Sequence, residues 1–284
     1  MPAGVEPTRT AAEGHANRSA RHRATSSSSL RRHRRRTAAV GHPAGLAVGL
    51  RSAVEGLYAA FAGYPLRAHV DGCPCCTDDA DHRRIHARPL RELSGEDLSR
   101  FAFKALTTWG TADDLRHFLP RLLELIAFDD LEVNPEIVLG KLVYADWRSW
   151  PPTEQSAVER YADSLWRTFL ASFPSAVPPL PDADTALCTV AQVVDDLRPL
   201  LAYWQGVPCI AHLRHLARFV VQDSGHLMQT AASGFWEERP AQWEQVRTWR
   251  RDPSLRQVLE EGFFRHAHEP FADELAAAAD ALRV

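Results

Sequence analysis

The residues with the most chemical potential crowd into Gly63–His86, GYPLRAHVDGCPCCTDDADHRRIH. Three of the chain's five cysteines fall there, at Cys73, Cys75 and Cys76, followed by His82 and His86. Cys73 and Cys76 make a C-x-x-C, a spacing at which two thiolates grip one metal ion as in half of a zinc knuckle. His82 and His86 stand four apart, so a helix would turn both to one side. The full pattern is C-x2-C-x5-H-x3-H, with a link far shorter than the roughly 12 residues of the ββα zinc finger. It predicts a zinc site drawn from Cys73, Cys75, Cys76, His82 and His86, in which Cys75 can take the place of either imidazole. Two other readings stay open. A C-x-x-C beside a helix N-terminus suits thiol redox chemistry, although Asp78, Asp79 and Asp81 oppose thiolate formation and no strand pattern surrounds it. An ordered cysteine loop holding nothing is the plainest reading.

The elements that must position this loop read as helices. Leu50, Val54, Leu57, Tyr58 and Phe61 recur at helical spacing over 46–64, and Gly63 and Pro65 stop that helix. Thr77 is expected to cap a short helix over 78–87. Ser94 with Asp97 reads as a capping box, followed by a stripe of Leu98, Phe101, Ala102, Ala105 and Trp109. Thr111 and Asp114 open ADDLRHFLPRLLELIAF, in which Pro120 should bend the helix near Arg116. Asn134-Pro135 opens another. Thr153 is expected to cap the strongest helix, reaching about Phe173. Beyond the Pro-rich stretch 174–182, helices are expected over 186–204, 208–222, 241–250, 253–268 and 271–282. No run of six residues alternates with period two.

These readings give an all-α fold, a multi-helix bundle or irregular α-solenoid of HEAT-like helix pairs, with nine to eleven helices over 46–284. The stretch 174–182 is a candidate subdivision. Residues 1–45 are rich in Arg, Ser, Ala, Pro and Gly, too poor in large apolar groups to offset their ordering entropy, and read as a disordered tail.

The chain has 284 residues, 45% hydrophobic and 24% charged, ordinary for a globular protein. Its charge is uneven. Residues 1–50 hold nine Arg against Glu6 and Glu13, and the remainder is net acidic. An acidic body argues against nucleic acid on the folded part and suits a basic protein partner. No run of 18 apolar residues occurs, so no membrane span is expected. His42 and Pro43 interrupt the apolar segment after the arginines, so a signal peptide is not expected. The clustered cysteines do not read as a disulfide framework, and the cytoplasm is the expected compartment.

The stretches GYPLRAHVDGCPCC, LRELSGEDLSRFAFKALTTWG and DDLRHFLPRLLEL, continued by GKLVYADW and WPPTEQSAVERYADSLW, resemble an uncharacterised family of bacterial all-helical proteins. The resemblance covers about residues 53–175. It implies a folded bacterial protein with a purposeful cysteine loop, and it carries no activity.

Other groups read as structural. His212 and His215 flank Arg214 and are expected on an exposed helix face, while Leu213, Leu216 and Val220 are buried. Cys188 reads as a small core residue, and Trp147 and Trp150 as caps of packed helices. Only two of the 33 basic residues that are Lys or Arg are lysines, Lys104 and Lys141. They read as surface lysines, the alternative being a slim amine where a guanidinium would not fit. No phosphate loop, nucleophile elbow or HExxH occurs. The leading functional expectation is a non-enzymatic protein-interaction scaffold. The alternative is a metal- or thiol-dependent enzyme centred on Cys73–His86.

Overall fold

The computed structural model describes residues 48–128, 131–206, 209–222, 232 and 234–283. The expected disordered tail lies outside them. Among the described residues there are twelve α-helices, three short 3₁₀ turns and no strand. The first six helices are α1 (Val48–Ala60), α2 (Asp79–Ile85), α3 (Gly95–Lys104), α4 (Ala112–Phe128), α5 (Pro135–Tyr144) and α6 (Pro152–Leu170). The rest are α7 (Ala183–Ala191), α8 (Arg198–Gly206), α9 (Ile210–Gln222), α10 (Pro240–Arg250), α11 (Pro253–Arg265) and α12 (Ala272–Ala281). The described residues form one unit by their backbone contacts. No described helix is long and apolar enough to cross a membrane.

The helical stripes bury as their spacing dictates. Leu50, Val54, Leu57 and Phe61 of the first stripe are fully covered, as are Tyr161, Leu165, Trp166 and Phe169 along α6. The most extensive pairings are α1 on α6, α11 on α12 and α9 on α12. Since α1 reaches across four helices of sequence to α6, the packing is that of a bundle. A solenoid would confine each pair to its neighbours.

Local signals decide where helices start. Ser94 and Asp97 form a reciprocal capping box, with Ser94 Oγ accepting from the Asp97 amide at 3.2 Å and the Asp97 carboxylate accepting from the Ser94 amide at 2.9 Å. At α2 the cap is Asp78, boxed with Asp81, and not Thr77. At α6 the helix begins on Pro152, ahead of Thr153, and needs no side-chain cap. Asn134 stands at the cap of α5 but its side chain makes no capping bond. Pro120 lies inside α4, which runs on through it.

Two expectations fail in the second half. The single helix expected over 186–204 is two, α7 and α8, separated at 192–197. In this connection Asp195 accepts from Arg148 and Arg239, both at 2.7 Å, and Gln245 Oε1 takes the Leu197 amide at 2.7 Å. His212 and His215 are buried, each 3% exposed. Their rings bond the carbonyls of Trp204 and Ser172 at 3.1 and 2.8 Å. Helix α9 is covered on several sides, by α7, α11 and α12, so a polar residue off the main stripe is still enclosed. Desolvation lowers the pKa of both imidazoles, which keeps them neutral.

Candidate metal centre

The cysteine loop is pinned by backbone on one side and by helix α3 on the other. Residues 71–73 lie antiparallel to 108–110. The Gly110 amide donates to Asp71 O at 2.7 Å and the Cys73 amide to Thr108 O at 2.8 Å, with a bridge between Gly72 and Trp109. The 105–110 turn that supplies this edge holds Leu106 and Gly110 at φ of 64° and 75°. Glycine takes that conformation freely; leucine at such an angle costs about 1–2 kcal/mol and persists because Ala105 and Trp109 around it are buried.

The loop then closes on itself. Cys73 O accepts the amides of Cys76 and Thr77 at 2.8 and 3.0 Å, and the Thr77 hydroxyl at 3.1 Å. Cys76 O accepts from Lys104 Nζ and from Arg100 at 3.2 Å, both on the last turns of α3. Arg100 also pairs with the buried Asp81 of α2 at 2.7 Å. One amine and one guanidinium therefore tie the third cysteine's carbonyl and helix α2 to helix α3. Gly72 is required for closeness and not for its φ. A Cβ there would stand 2.6 Å from Thr77 Oγ1 and 3.0 Å from Trp109 Cδ1. Upstream, Arg67 grips the buried Asp114 through two nitrogens and Thr111 Oγ1 at 2.7 Å, fixing the approach to the loop.

This frame brings three of the five predicted residues together. The sulfurs of Cys73, Cys75 and Cys76 all lie within 4.8 Å of one another. Cys73 and Cys75 approach to 2.7 Å, and Cys75 and Cys76 to 3.6 Å. Two thiolates sharing one zinc at about 2.3 Å in tetrahedral geometry stand about 3.8 Å apart, so small side-chain rotations bring all three sulfurs onto one ion. Cys75 is exposed and the other two are half-buried. The short contact polarises the pair: the hydrogen bond from Cys75 lowers the Cys73 thiol pKa, and the Cys73 and Cys76 sulfurs push that of Cys75 up to about 11.

Neither histidine joins the group. His86 turns Nδ1 to His82 O at 2.7 Å and Nε2 to Arg67 O at 2.9 Å, so both its nitrogens are engaged with backbone. His82 stacks on His69 with ring centroids 4.9 Å apart and meets Trp109 edge-on at 5.5 Å. The i,i+4 spacing does put both on α2 or its end, but the loop carries the thiols elsewhere. His82 Nδ1 is buried with no hydrogen-bond partner. Arg100, Lys104 and Gly72, which shape the loop, were not among the residues picked out by spacing. Only the rarity of lysine pointed to Lys104.

Elsewhere among the described residues, an open groove of about 430 Å³ runs between α9 and α12, lined by Phe173, Ala217, Val221 and Ala277 with Arg214 and Arg218. Trp147 and Trp150 are 3% and 2% exposed, packed into the core and not rimming a groove. No family model, curated protein or solved structure matches the chain.

Proposed function

We propose that the protein binds a soft metal ion, zinc being the reference case, through the thiolates of Cys73, Cys75 and Cys76 presented on a rigid helical frame. The observation that supports this reading most is the convergence of three sulfurs on a turn whose carbonyls are held from α3 and from residues 108–110. Three thiolates leave the fourth position of a tetrahedral ion to water or to a ligand from outside, the arrangement of sites that exchange ions or polarise a bound molecule. Arg100 and Lys104 hold the Cys76 carbonyl and so fix the backbone that carries the third sulfur. Free thiols persist in a reducing compartment, so the cytoplasm is part of the same proposal.

Elemental analysis of protein purified without chelators tests it. Zinc near one ion per chain is expected, lost on Cys73→Ser, Cys75→Ser or Cys76→Ser and retained when His82 and His86 are both replaced by Ala. Metal that survives Cys75→Ser but leaves with the histidines would overturn the three-thiolate arrangement in favour of the Cys2His2 set.

A second reading, the protein-interaction scaffold, is favoured by the α9–α12 groove. Its floor is apolar and its wall carries Arg214, paired with Glu274 at 3.0 Å, and Arg218. A partner helix with an apolar stripe fits such a groove. Recovery of a stoichiometric partner by the parent chain, lost on Ala217→Glu, tests it; equal recovery by both sinks it.

A further inference from the structure

We infer that Cys73 and Cys75 are a redox-active dithiol that reduces a small peroxide by closing a disulfide between themselves, with Cys76 outside the pair. The C-x-x-C pattern favours Cys73 with Cys76, whereas the shortest approach among the three sulfurs joins Cys73 and Cys75, with all three within 4.8 Å. Cys73 Sγ lies 2.7 Å from Cys75 Sγ, against 3.6 Å for the adjacent Cys75 and Cys76. A disulfide requires about 2.05 Å, so the first pair needs only a small approach. Adjacent cysteines such as Cys75 and Cys76 would have to close through one shared peptide unit, which twists that peptide from planarity. Between Cys73 and Cys75 lies Pro74, whose ring fixes φ near −65° and holds the chain reversed. The turn hydrogen bonds from Cys76 and Thr77 to Cys73 O keep the sulfurs facing while leaving Cys75 open to solvent. An oxidant can therefore reach the pair, and a resolving thiol waits beside whichever sulfur reacts first.

The chemistry balances with hydrogen peroxide as the oxidant. One thiolate attacks a peroxide oxygen, the O–O bond breaks and hydroxide leaves, giving a sulfenic acid. The second thiolate attacks that sulfur, the S–O bond breaks, and a second hydroxide leaves as the S–S bond forms. The two thiol protons neutralise the two hydroxides, so the dithiol loses two electrons and the peroxide becomes two waters. The consequence for the metal rests on the three-thiolate reading: once Cys73 and Cys75 are joined, Cys76 alone remains and the ion is released.

The test uses the full chain, reduced and freed of metal, with equimolar hydrogen peroxide and intact mass as the readout. The parent should lose two hydrogens and Cys76→Ser should still lose two, whereas Cys73→Ser and Cys75→Ser should instead gain one oxygen as sulfenic acid, the limit that one equivalent of peroxide allows. A Cys76→Ser protein that fails as badly as the other two would overturn the pairing, and a parent that gains oxygen without losing hydrogen would overturn the dithiol. Far-ultraviolet circular dichroism of each variant keeps misfolding from counting as either result. Zinc content measured on separate, unoxidised samples decides the metal reading by itself. Where zinc is bound, a chromogenic chelator should register its release in step with disulfide formation; a disulfide-bearing protein that keeps its zinc would overturn the coupling.

Discussion

Replacing Gly72 by alanine is the sharpest probe of how the thiol loop is held. The new Cβ would sit 2.6 Å from Thr77 Oγ1, 3.0 Å from Thr77 Cγ2 and 3.0 Å from Trp109 Cδ1. Thr77 cannot simply swing away, because its hydroxyl bonds Cys73 O at 3.1 Å and both of its branches face the glycine. Overpacking of this kind costs about 1–3 kcal/mol. Alanine returns part of that, about 0.4–1 kcal/mol, by restricting the unfolded chain, since the φ of Gly72 is one that alanine can adopt. A net loss of roughly 1–2 kcal/mol follows for Gly72→Ala. Thr77→Ala alone forfeits one hydrogen bond, about 1 kcal/mol. The double variant removes two of the three close atoms, so it should be more stable than the sum of the singles by about 1 kcal/mol, with the Trp109 contact left over. Urea unfolding followed by circular dichroism gives all three values. Additivity within about 0.5 kcal/mol would show that the glycine is not packed against Thr77 and would refute this picture of the loop.

Two further substitutions address the frame and its interior. Lys104→Met leaves Cys76 O with Arg100 alone; a charged hydrogen bond discounted for partial exposure is worth about 1 kcal/mol, so zinc affinity by competition with a chelator should weaken roughly fivefold at nearly unchanged fold content. Glu136 at the start of α5 is 7% exposed with Oε2 unpartnered, and desolvation, reinforced by Asp184 and Asp182, raises its carboxyl above the ordinary range. A raised folded-state pKa means that its stabilising contribution is complete below the ordinary carboxyl pKa and is lost as pH rises through the folded value. Glu136→Gln should therefore raise the urea midpoint at neutral pH and flatten its decline above the ordinary carboxyl range; an unchanged profile would mean that the carboxyl is solvated after all.

The helical plan was largely readable because it rests on local periodicity and caps. The α6 stripe from Ala157 to Leu170 and the Ser94–Asp97 box are properties of a few consecutive residues, and both form as the spacing requires. What was not readable depends on partners distant in sequence. Between α7 and α8, Asp195 is held by Arg148 and Arg239, and neither is visible from 186–204 alone. His212 and His215 looked solvated beside Arg214 and Arg218, yet the carbonyls of Trp204 and Ser172 receive their rings, with Tyr203 against His212 and Phe169 and Phe173 against His215. At the thiol loop, spacing identified the three cysteines and grouped them with two histidines. The turn closed on Cys73 O and the carbonyl of Arg67 taken by His86 separate them, and both are tertiary facts. Pattern spacing shows which side chains share a helix face, but not which way a Pro-containing turn aims its sulfurs.

X-ray absorption at the zinc edge of the loaded full chain tests the central claim most directly. The three-thiolate site predicts three sulfur scatterers at about 2.3 Å with one lighter atom from water or a buffer ligand, and no bound zinc to measure in Cys75→Ser. Two sulfurs with two imidazole nitrogens at about 2.0–2.1 Å, unchanged by Cys75→Ser, would contradict it.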